Sequence, residues 1–71
     1  MLMTWSQHSC IRREALETWR TAARLVATRW DQFVHAEPET LVFAFASYVA
    51  ALDSEEAAAA HLATFAQPAA A

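Results

Sequence analysis

The chain contains no glycine, no lysine, one cysteine and two prolines in 71 residues. Each scarcity closes a class of function. Without glycine there is no P-loop and no dinucleotide-binding fingerprint. Both need backbone that turns with positive φ or lets a phosphate come close. A single cysteine allows neither an internal disulfide nor a four-cysteine zinc site. A lone thiol fits a reducing compartment, and a cytoplasmic location is the expectation. Long apolar runs are also missing. The longest strongly hydrophobic uncharged run is residues 40–52, well short of the roughly 20 residues that cross a bilayer. The uncharged stretch 57–71 is interrupted by His61, Gln67 and Pro68. The opening residues lack the basic-then-apolar order of a signal peptide. No membrane span or leader is expected.

What is present is alanine, which occurs 18 times, and an apolar fraction of 56 % with a net charge of −3. That balance is too apolar and too weakly charged for a disordered chain. The use of arginine without lysine, together with the alanine, suggests a GC-rich bacterial coding sequence and implies no activity. A chain this short buries only about 60 % of the surface it exposes when unfolded. Small domains usually add a disulfide, a metal or a partner chain to compensate. Association is therefore the first expectation.

The periodicity is helical. Residues 1–9 read as a loosely held arm, residues 10–67 as one domain and residues 68–71 as a frayed tail. An all-α fold of three helices is expected, at about 10–35, 38–52 and 54–66. In the first helix Trp19, Ala23, Val26, Trp30 and Phe33 recur at heptad-like spacing. Pro38 ends it and suits the first position of the second helix. There Leu41, Val42, Phe45, Tyr48, Val49 and Leu52 make a main face, and Phe43, Ala46 and Ala50 a second apolar stripe. Asp53-Ser54-Glu55-Glu56 has the spacing of a helix start. The third helix carries Ala58, Leu62, Phe65 and Ala66 inward.

Such a first helix is about 39 Å long and the others about 20 Å each. One short neighbour cannot cover it, so a second copy pairing long helices into a six-helix dimeric bundle is the economical arrangement. Residues 1–36 hold five arginines against Glu14, Glu17 and Asp31, a balance of +2, and residues 37–71 hold five acids and no base, a balance of −5. An acidic neighbour from the second half would relieve the like-charge pair Arg20 and Arg24.

The chemistry-bearing residues have plainer explanations than catalysis. His8 and Cys10 are two zinc-ligand types without a third. His35 with Glu37 and Glu39 suits helix ends as well as a metal. His61 lies five residues after Glu56, not the three that put two ligands on one face of a di-iron bundle. Cys10 lies beside Arg12 and Arg13 near an expected helix start, surroundings that favour a reactive thiol. The five arginines are diluted by acids, which disfavours direct nucleic-acid binding. No metal, no cofactor and no catalysis are expected. The reading is a small interaction or assembly module, most simply a homodimer, with a protein hetero-partner as the next candidate. Its interface residues are Trp19, Val26, Trp30, Phe33, Phe43, Ala46 and Ala50. The alternative is a binding protein for a small apolar or aromatic ligand held among Trp5, Trp19, Trp30, Phe45, Tyr48 and Phe65.

Overall fold

The computed structural model describes the backbone of residues 5–66 and the side chains of residues 9–65. The fold is all-α, with two long helices rather than three. Helix α1 runs Trp5–Val34 and helix α2 runs Leu41–Ala66, joined through a 3-10 turn at Pro38–Thr40. They form an antiparallel hairpin. The expected tail at residues 68–71 and the first four residues of the expected arm lie outside the described residues. Helix α1 starts at Trp5 rather than near residue 10, since no proline or glycine opposes helix in this stretch.

The turn follows the local chemistry closely. Glu37 precedes a proline, which excludes it from the α region, and its backbone is extended at φ −71° and ψ 155°. Pro38 then opens the 3-10 turn, where its missing N–H is not needed. The Thr40 amide donates to the Glu37 carbonyl at 3.0 Å, and the Thr40 hydroxyl donates to the same oxygen at 3.3 Å. The Leu41 amide donates to the Pro38 carbonyl, which leads directly into α2.

The helix break expected at Asp53-Ser54-Glu55-Glu56 does not occur; α2 passes straight through it. A capping sequence offers a side-chain acceptor, but nothing here forces the backbone out of helix. There is no glycine or proline between Leu41 and Ala66. Holding aspartate and serine in a helix interior costs about half a kcal/mol each. A break would instead leave up to four amides and four carbonyls without helical partners. Asp53, Ser54 and Glu56 are exposed, where water solvates them, and Glu55 finds a partner on α1. Continuity has a sign test. In an uninterrupted helix Ser54→Ala raises stability by about 0.5 kcal/mol. At a helix N-cap the same change would lower it by about 1 kcal/mol. Urea denaturation of the variant is expected to show the gain.

At 1.5 Å per residue α1 is about 45 Å long and α2 about 39 Å. The helices nearly match, so the length mismatch behind a six-helix dimer is gone. The surplus apolar surface remains for another reason, which is how the helices face each other. The α1 seam is Ala15, Trp19, Ala22, Val26, Arg29 and Phe33, each buried or half-buried. The α2 seam is Ala44, Tyr48, Ala51, Glu55, Ala58 and Leu62, also buried or half-buried. Both step by four and three. Helix α1 thus packs on the alanine line of α2, where backbones approach closely, and not on the line of Leu41, Phe45, Val49 and Leu52. Among the described residues only Ala15, 4 % exposed, and Ala51, 3 % exposed, are buried. No large side chain among them is fully covered.

Candidate interaction surface

Helical geometry places the uncovered residues. Antiparallel helices that touch along one line each turn a flank to either side. On one side of the hairpin α1 presents Leu16, Ala23, Trp30 and Val34, about a quarter-turn from its seam. On the same side α2 presents Leu41, Phe45, Val49 and Leu52, again about a quarter-turn from its own. The two flanks merge into a broad apolar face across both helices. Trp30, Val34, Leu41, Phe45, Val49 and Leu52 are all exposed on it, Phe45 by 51 % and Trp30 by 48 %. The larger side chains gather toward the turn. Toward the open end, where α1 starts and α2 finishes, α2 offers Ala59 and Ala63 instead.

An aromatic cluster knits the turn end of this face. Trp30 lies 5.2 Å from Tyr48 and 5.6 Å from Phe33 between ring centroids. Phe33 lies 5.5 Å from Phe45 and stacks on Tyr48 at 6.3 Å with a 9° interplanar angle. Such ring pairs add about 0.5–1.5 kcal/mol each beyond the area they bury. The cluster ties the helices together but leaves one side of Trp30 and Phe45 open.

One polar contact sits in the seam. The Trp19 indole Nε1 donates to Glu55 Oε2 at 2.7 Å, partly buried. It sets Trp19 level with Glu55 and so fixes the register of the two helices. Three of the five arginines find partners on their own helix: Arg20 with Glu17 at 2.8 Å, Arg24 with the Thr21 hydroxyl at 3.1 Å, and Arg29 with Gln32 at 2.9 Å. Within the chain the strain between Arg20 and Arg24 is thus eased by neighbours three residues away. The acids of α2 take no part.

The structure brings together some of the residues singled out from sequence and separates others. Trp30, Phe33, Phe45 and Tyr48 meet at the turn end. Trp19 and Val26 lie in the seam. Phe43, 73 % exposed, points to the side opposite the broad face, and Ala46 and Ala50 lie on the outer edge of α2. The proposed aromatic pocket does not assemble as one site. Phe65 is at the open end, edge-on to His61 at 5.4 Å, while Trp30 and Phe45 are near the turn. The Trp5 side chain lies outside the described residues. A cleft of about 450 Å³ does occur, but at the open end, lined by Ser9, Arg12, Arg13, Leu16, Leu62 and Phe65. Sequence periodicity missed this cleft because its lining comes from the far ends of both helices.

The remaining polar groups separate too. His35 turns back to Asp31, with Nδ1 2.8 Å from its carbonyl and 3.4 Å from its carboxylate, rather than toward Glu37 and Glu39. Cys10 is exposed and stands in the second turn of α1, not at the helix start. The His8 side chain is outside the described residues. Among the described residues no three His, Cys, Asp or Glu side chains gather as a metal would require. No helix among them is long and apolar enough to cross a membrane. Comparison with protein-family models, curated proteins and solved structures finds no match for the chain.

Proposed function

We propose that the chain is an association module whose work is to pair through its broad apolar face, with a second copy of itself as the partner. The observation that carries this reading is a hairpin in which, among the described residues, two alanines alone are fully buried while Trp30, Phe45, Leu41 and Leu52 stand exposed on one side. A monomer of this size rarely leaves a contiguous apolar patch so large without a use for it. Two helices about 10 Å apart and about 39 Å long present a face of roughly 20 by 40 Å. That is about 800 Å², the area each partner contributes to a stable interface of ordinary size. Face-to-face pairing of two hairpins gives a four-helix bundle with a continuous core. No catalytic step enters this reading, and the lone exposed Cys10 fits a reducing, cytoplasmic setting.

Sedimentation equilibrium across micromolar concentrations tests it. A dimer of 15.8 kDa, twice the 7.9 kDa chain, is expected, and the helical signal in circular dichroism should melt at higher temperature as concentration rises. A monomer whose melting is independent of concentration would refute the reading.

A further inference from the structure

We propose that two copies meet with their turns at the same end, so that α1 of each lies over α2 of the other. This rests on the association reading and adds the arrangement. Two two-fold packings of the broad faces are open. With the axis parallel to the helices, α1 covers the partner's α2 and the turns adjoin. With the axis across the helices, α1 covers the partner's α1, α2 covers the partner's α2, and the turns lie at opposite ends.

Charge separates the two. Helix α1 holds five arginines against Glu14, Glu17 and Asp31, and α2 holds Asp53, Glu55 and Glu56 with no base. The second packing stacks acidic helix on acidic helix and basic on basic. The first sets each basic helix on an acidic one. The fit extends to single residues. Arg20 lies on the outer edge of α1 beside the broad face, and Glu56 on the matching edge of α2. The Trp19–Glu55 bond makes these neighbours level along the hairpin. Rotation about the parallel axis then brings Arg20 beside the partner's Glu56, twice in the dimer. The Arg20 guanidinium already donates to one neighbour, Glu17, and has further N–H groups to offer. The same rotation sets the bulky turn ends, with Trp30 and Phe45, against each other.

Two measurements test this. In a Cys10→Ser background, a spin label at Glu37→Cys reports the distance between turns by double electron–electron resonance. Turns at one end give less than about 25 Å, and turns at opposite ends give about 45 Å. Arg20→Glu alone and Glu56→Arg alone are each expected to weaken dimerisation about tenfold, and the two together to restore it to within about threefold. A dimer with labels near 45 Å, or a double variant no tighter than the single ones, overturns the arrangement. A chain that stays monomeric with no dipolar coupling overturns the association reading beneath it instead.

Discussion

Phe45→Glu is expected to abolish association while Phe43→Glu leaves it intact. Both side chains are aromatic, both stand on the first half of α2, and both are exposed, Phe43 more than Phe45 at 73 % against 51 %. Judged within one chain, neither change should matter much. Phe45 would lose its contact with Phe33, about 1 kcal/mol. In a face-to-face dimer, however, Phe45 lies inside the covered area, toward the turn end. A carboxylate there would be buried without a partner, in both copies. Removing an unpaired buried charge from water costs several kcal/mol, enough to dissociate an interface of ordinary size. Sedimentation of the two variants, with circular dichroism as a check on helix content, decides the matter. If Phe43→Glu dissociates the chain and Phe45→Glu does not, the pairing surface is the opposite side of the hairpin.

The second large effect is expected at Trp19 and Glu55. Trp19→Phe keeps the ring and removes the N–H that donates to Glu55. The carboxylate is then left partly buried in the seam without its partner, a loss of about 1–3 kcal/mol. Glu55→Leu removes the charge and fills the seam with an apolar side chain. It leaves the indole N–H unpaired, so part of the gain is lost. The double variant Trp19→Phe/Glu55→Leu has neither orphan and should match or exceed the parent in stability. Urea denaturation of the set gives the coupling energy directly. A Trp19→Phe variant as stable as the parent would show that the bond contributes nothing.

The all-α class was legible in the sequence because apolar residues recur at helical spacing and nothing suggests strand. The end of α1 and the turn were legible because Pro38 constrains the residue before it. The uninterrupted α2 was not. Asp53 to Glu56 carries every side chain a helix start would want, yet such signals stabilise a start only where the chain has another reason to break. The alanines on both sides supply none. The seam was half legible. Trp19, Val26 and Phe33 belong to it as the spacing predicts, but Ala23 and Trp30 turn out on the flank. On α2 the prominent apolar face is the uncovered one. Periodicity ranks faces by hydrophobicity, whereas two helices choose the line along which they can approach. Ala44, Ala51 and Ala58 offer that line and carry almost no hydrophobic signal. The Trp19–Glu55 contact spans 36 residues, which no local pattern could announce.

The placement of the aromatic cluster also bears on how the chain folds. Phe33 and Phe45 are only twelve residues apart in sequence, so closing that loop is inexpensive. Trp19 and Glu55, three times farther apart, face an extra closure entropy of about 1 kcal/mol. The hairpin should therefore begin at its turn and zip toward the open end, with the aromatic contacts as nucleus. The indole–carboxylate bond would then close late, selecting the correct register only after the helices are already side by side.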